Sequence, residues 1–396
     1  MSHFTVLVIG NDVDKALAPF HEFECTGADD QYVQDIDETA DTLQRYQNGA
    51  TARVRNNATG ALYPTYDDQF FHFLPDDKSA EILALPHHQR PDGTYVRDGK
   101  VCTYELPEGY EEVKVPYTEI MSFLDYVKRD TDDNCVVEFG KKPDLKEHHK
   151  YGYVLLNESG EVEKVIRRTN PNAKWDWYQI GGRWSGFFKK KPEAIGLLGD
   201  RSWTNAGEEI PEDRADQITK VDVDFEGMMS EAGTKAAEQF DLYIQHFGDK
   251  EEGFIPWNKV RTDFEAESKT INEAREFYHS QPLKLAIAEY LRTHDRKGDT
   301  PEAKLSSWLL WNNPEDMLIG QGTVEQRRER YITLARANSI MTFAVLKDGQ
   351  WYERGSMGWW GCVSNEKDTF EWANQYLNLI ENLPDDTLLT VVDCHI

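Results

Sequence analysis

The spacing of apolar positions along this chain changes period twice. His3-Phe4-Thr5-Val6-Leu7-Val8-Ile9 is apolar and β-branched and reads as a strand. Thr118 to Val127 has apolar residues three to four apart and predicts a short helix. Tyr151 to Leu156 and Glu161 to Ile166, joined by Asn157-Glu158-Ser159-Gly160, predict a hairpin. From Gly227 the pattern turns helical: Met228, Ala232, Ala236, Phe240, Tyr243 and Phe247 fall near a 3.6-residue spacing. Phe264 to Tyr278, Leu283 to Leu291, Ala303 to Leu310 and Val324 to Ala337 continue it. Met341 to Leu346 is a strand again, and Lys347-Asp348-Gly349-Gln350 carries an Asp-Gly hairpin signal. Asn365 with Asp368 suggests a capping arrangement for a helix bearing Phe370, Ala373, Tyr376, Leu377 and Ile380. Leu388 to Ile396 predicts a closing strand.

This order implies an α+β fold. A mixed sheet is formed by the N- and C-terminal parts, with a mainly helical segment inserted at about 225–340. The expected regions are 1–224, mixed α/β with a Trp/Gly block; 225–340, helical; and 341–396, a hairpin, helix and strand returning to the N-terminal sheet. The first and last strands are therefore expected in one domain. His3 to Val8, Tyr151 to Leu156 and Met341 to Leu346 look alike, as related units of one sheet or as generic strand composition.

Hydrophobic residues make up 39% of the chain, enough for a sizeable core. No run approaches the roughly 18 apolar residues of a membrane span. The opening residues lack a basic leader, so a strand is expected there and a cytoplasmic setting for the protein. Five scattered cysteines with no C-x-x-C pair argue against a disulfide framework or zinc ribbon, and for a reducing compartment. The net charge of -27 repels nucleic acid and anionic membranes, so neither is an expected partner. It suits a basic protein surface, or simply high solubility. Mimicry of nucleic acid is weakened by the 44 Lys and Arg mixed among the 71 acids.

Two blocks are unusual. One runs Trp175-Asp176-Trp177-Tyr178-Gln179-Ile180-Gly181-Gly182-Arg183-Trp184-Ser185-Gly186. The other runs Trp351-Tyr352-Glu353-Arg354-Gly355-Ser356-Met357-Gly358-Trp359-Trp360-Gly361. With Trp372 they hold seven of the eleven tryptophans. One reading is a nucleotide pocket. Trp175, Trp177, Trp184, Trp359 and Trp360 wall it, Gly181 and Gly182 turn the backbone, and Asp176, Arg183, Glu353 and Arg354 form its rim. The other is a tryptophan core with glycines where rings cross the backbone. The two blocks are expected to meet in space. Asp176 and Arg183 are the candidates for chemistry, because charges beside such a core must be paired or used. Asp222-Val223-Asp224 places two carboxylates on one strand face, where Asp222 and Asp224 can hold Mg²⁺; alternatively they open the following helix. The neighbouring pairs His87-His88 and His148-His149 point apart in extended chain and are poor chelates. Asp393-Cys394-His395 offers a thiolate–imidazole pair, but neighbours on a strand face opposite sides, so Asp393 with His395 is the better-placed pair, and a satisfied structural histidine is the expected outcome.

At these blocks the chain resembles a family of phage and prophage proteins without assigned chemistry. The resemblance runs from end to end, through the opening residues 1–10, WDWYQIGGRWSG (175–186), the stretch 215–228, MGWWG (357–361) and LPDDTLLTVVDCHI (383–396). It implies an accessory protein acting inside an infected bacterium, countering a nucleic-acid-sensing or nucleotide-signalling defence. Two functions are expected from this. One is a binding protein that inhibits a host defence protein with a basic surface. The other is a Mg-dependent nucleotide-handling enzyme, nucleotidyltransferase or phosphohydrolase-like. In it Arg183 holds phosphate, the tryptophans wall the base, and Asp222 with Asp224 carry the metal.

Overall fold

The computed structural model describes residues 2–85, 90–91, 93–130, 135–202, 207, 209–298, 300–311 and 322–396. The chain forms two compact units, one of Met1–Thr26 with Asn172–Ile396, the other of Gly27–Pro171. The expected 1–224 region thus contributes to both, and the helical segment lies within the first.

The first unit is built on an eight-stranded mixed sheet. Its centre is made of the chain's two ends. Strand β1 (His3–Ile9) and the last strand, Leu388–His395, pair antiparallel from His3↔His395 to Ile9↔Leu389. On the far side of Leu388–His395 lie Trp177–Gly182 and Gln217–Thr219, both antiparallel to it. On the far side of β1 lies Ala344–Lys347, parallel to it, followed by its hairpin partner Gln350–Glu353. The Asp348-Gly349 turn has φ of 51° and 74°, the left-handed values that such a tight hairpin demands.

Strand β1 is mainly apolar, His3 and Thr5 apart, because both of its faces are covered. Phe4, Val6 and Val8 pack with Leu17, Phe20, Trp175 and Trp351. Leu7 and Ile9 face a second cluster with Trp372, Tyr376 and Ile380 of the helix Thr369–Glu381 and Met228 of the helix Phe225–Phe247. Beyond that, Phe240, Tyr243 and Phe247 continue down the long helix into a helical cluster with Leu283, Ile287, Leu305 and Tyr331.

Three local expectations are corrected. The helix expected over 264–278 is two helices, Trp257–Ala266 and Ile271–Ser280. Ser268 at φ 57° stops the first, and a Thr270–Glu273 capping box starts the second. The helix expected over 118–127 is likewise broken, into Tyr117–Ile120 and Phe123–Asp130, with the Ser122 hydroxyl accepting from Asp125 N–H. The cap of the helix Thr369–Glu381 is Asp368, whose carboxylate accepts from Phe370 and Glu371 N–H; Asn365 sits apart at φ 52°.

The second unit holds a four-stranded sheet in which the hairpin Gly152–Leu156 and Val162–Thr169 is flanked by Gln34–Asp37 and Val136–Val137. Buried Arg168 bridges Asp29 and Asp35 there. Of the three look-alike strand segments, the first and third are therefore parallel neighbours, while the second belongs to another sheet.

Candidate functional site

Pairing of three strands sets His3, His395 and Trp177 in one row at the end of the sheet, because His3 lies opposite His395 and His395 opposite Trp177. Cross-strand partners share a face, so the three rings meet. The His3 and His395 rings stand edge to face with centres 4.8 Å apart. The Trp177 indole stacks on His395 at 5.2 Å and 19°. Its outer surface is open: the residue is 43% exposed.

A carboxylate stands behind each imidazole. Asp393 Oδ1 lies 2.8 Å from His3 Nδ1, and the Asp176 oxygens lie 2.6 and 2.8 Å from His395 Nδ1. A carboxylate only accepts, so each Nδ1 carries the proton and each Nε2 is left as the ring's second nitrogen. The two side chains are 10% and 7% exposed. Neither Nε2 has a hydrogen-bond partner among the described residues, and neither is sealed from solvent. An imidazole oriented through Nδ1 by a carboxylate, with Nε2 unused, has the chemistry to give or take a proton.

The carboxylates are themselves held. Asp176 accepts from Trp177 N–H at 2.7 Å. Asp393 is fully buried, and its Oδ2 accepts from Arg183 N–H at 3.0 Å. That contact explains Gly182, which sits at φ 56° with room for no side chain: a Cβ there would lie 2.4 Å from the Asp393 Cβ. Gly181 is excluded from carrying one by buried Asp216, which gathers the turn by accepting from Ser185 Oγ and from Gly186, Phe187 and Gly199 N–H.

One group among the described residues can hold a metal. The ligand atoms of Glu22, Cys25 and Asp176 all lie within 4.8 Å of one another. Burial of the sulfur, then Glu22, then Asp176, push the Cys25 thiol up, although the residue as a whole is exposed. The thiol is therefore protonated at neutral pH, and a metal would have to displace that proton.

The other expected site residues are placed as follows. Trp175 and Trp351 pack in one apolar layer, with Lys174 Nζ 2.9 Å from Glu353 Oε1, so the two Trp/Gly blocks do meet. Trp175 Nε1 donates to Leu17 O, and Trp351 Nε1 to Glu353. Trp184 is half-buried in the Gly181–Gly186 turn. The Arg183 side chain is exposed, while Arg354 pairs with Glu366 at 2.8 Å. Trp360 is 81% exposed at φ 62°, on a loop tied down by Ser2 Oγ, which donates to Gly358 O and accepts from Gly361 N–H. The Trp359 side chain and His87 with His88 lie outside the described residues. His149 Nδ1 accepts from Asp144 N–H, while His148 is exposed.

Asp222 and Asp224 do not lie on a strand. Asp222 closes a short 3-10 turn and accepts from the Thr219 hydroxyl; Asp224 caps the helix Phe225–Phe247 through Gly227 N–H. In the closing tripeptide, Asp393 serves His3 and His395 takes Asp176. Cys394 points to the opposite, sealed face, where burial holds its thiol well above the usual range. Sequence reasoning missed His3 and Asp216. The available signal was the alternation of both end strands, which puts His3, Asp393 and His395 on one face once those strands are paired.

No family model, no curated protein and no solved structure matches the chain.

Proposed function

We propose that the protein is an acid–base enzyme acting on small phosphate esters of the nucleotide class, with His3 and His395 as its catalytic residues. The observation that supports it is the pair of imidazoles, each fixed through Nδ1 by a carboxylate and each presenting an unused Nε2. Displacement at phosphorus needs a base for the attacking oxygen and an acid for the leaving oxygen, and a pair of imidazoles can fill both roles. Trp177 offers a planar apolar surface to a base. In the setting that the resemblance suggests, the substrate is a nucleotide signal of host defence. Asp176 and Asp393 are positioning residues. The test is cleavage of two phosphodiesters, bis(p-nitrophenyl) phosphate and uridylyl-(3′→5′)-adenosine, activity on either one being the readout. His3→Gln and His395→Gln should each lower kcat by about 10²–10⁴-fold. Asp176→Asn should lower kcat with little change in KM. Full activity in both histidine variants sinks the proposal.

A second reading is favoured by the net charge of -27: the protein inhibits a host protein with a basic surface. Affinity for such a partner should fall steeply between low and high salt, because the attraction is screened. A salt-insensitive complex counts against it.

A further inference from the structure

We infer that the substrate of the His3/His395 pair is a short ribonucleotide phosphodiester that supplies its own nucleophile, the 2′-hydroxyl beside the scissile bond. This rests on the acid–base reading above and names its substrate.

Three observations lead there. First, no hydroxyl or thiol of the chain is hydrogen-bonded to either Nε2 among the described residues, so neither imidazole activates a protein nucleophile as in a Ser–His or Cys–His pair. Cys394 lies on the other face of the sheet, and Cys25 sits against Asp176, on the Nδ1 side of His395. Among the described residues, then, none supplies the attacking oxygen, which points to a nucleophile from outside the protein. Second, the two rings lie with centres 4.8 Å apart, close enough for one phosphate to lie against both, one imidazole serving the attacking oxygen and the other the leaving oxygen. Trp177, stacked on His395 and open on its outer side, is placed to receive the base of the same nucleotide. Third, the net charge of -27 sets a limit on the polyanion. Each further phosphate adds repulsion, so a substrate of one or a few phosphates is favoured over an RNA polymer.

The step balances without an added reactant. One Nε2 accepts the 2′-hydroxyl proton as O2′ bonds to phosphorus. The P–O5′ bond breaks, and the other imidazole, entering protonated, gives its Nε2 proton to O5′. The products are a 2′,3′-cyclic phosphate and a free 5′-hydroxyl. No water is consumed and nothing is oxidised or reduced.

The experiment compares uridylyl-(3′→5′)-adenosine with its 2′-deoxy analogue, using the full chain, with and without EDTA, and identifying products by mass spectrometry. Bis(p-nitrophenyl) phosphate is the control that carries no ribose. The expected result is uridine 2′,3′-cyclic phosphate and adenosine from the ribo substrate, no cleavage of the deoxy analogue, and no effect of EDTA. His3→Gln and His395→Gln should each slow the reaction roughly 100-fold or more, with circular dichroism unchanged. Equal cleavage of both dinucleotides, or cleavage of the control alone, overturns this inference and leaves the acid–base reading standing, with water as nucleophile. Loss of activity in EDTA overturns the two-imidazole step and points to a metal at Glu22, Cys25 and Asp176. No cleavage of any of the three removes both the inference and the reading beneath it.

Discussion

The two Trp/Gly blocks look interchangeable in sequence and behave differently in the fold. Block 175–186 runs beside the last strand of the sheet, so its residues are placed by cross-strand pairing: Trp177 falls on His395, and the Gly181–Gly182 turn closes over Asp393. Block 351–361 follows an outer hairpin. Its first tryptophan, Trp351, enters the apolar layer beside Trp175, while Trp360 projects from a loop beyond the sheet. Tryptophan and glycine content does not make a site; what decides is which strand a block pairs with and which polar groups that strand carries.

Glycine substitutions test this most sharply. Gly182→Ala drives a Cβ to 2.4 Å from Asp393 on a neighbouring strand, at a left-handed φ. It should cost about 3 kcal/mol, measured by urea denaturation, and should disturb the Arg183 N–H to Asp393 contact with it. Gly361 has an equally left-handed φ of 72°, but a Cβ added there would meet nothing within 4 Å, so Gly361→Ala should cost only about 1 kcal/mol. Equal losses at both positions would break the contrast.

The tryptophans of the second block sharpen it further. Trp351→Ala opens a hole against Phe4 and Phe20 and should lose about 3 kcal/mol. Trp360→Gly removes an exposed ring from a strained position and should leave stability within about 0.5 kcal/mol. If Trp360→Gly destabilises as much as Trp351→Ala, that ring is part of the core after all.

The smallest effect concerns Cys25. Its thiol is raised by burial first and by Glu22 and Asp176 after that. Alkylation by iodoacetamide requires thiolate, so at pH 8 it should be slower than for a free thiol and should rise with pH. Glu22→Gln removes one of the raising charges and should speed the reaction at that pH. An unchanged rate would mean that burial alone sets this thiol.

Much of the fold was legible in the sequence. The apolar run of β1, the Asp348-Gly349 turn and the helical period after Gly227 each follow from local pattern, and the return of the chain to its first sheet followed from similar strands at the two ends. The failures were local stops such as Ser268 and Ser122, where one residue's conformation overrides a continuing apolar spacing.

The site was legible only in part. Asp176 stood out as a charge beside a tryptophan core, but its partner lies more than two hundred residues away. Alternation by itself placed Asp393 and His395 on one face, yet suggested the wrong pairing, since a strand's pattern cannot say what stands across from it. The sequence by itself determined which residues face each way on the two end strands, because side-chain alternation is fixed by backbone geometry. Only the tertiary structure decided that His3 meets His395 and that Asp393 serves the one while Asp176 serves the other. Register between distant strands is set by the packing of the whole sheet, and no local pattern encodes it.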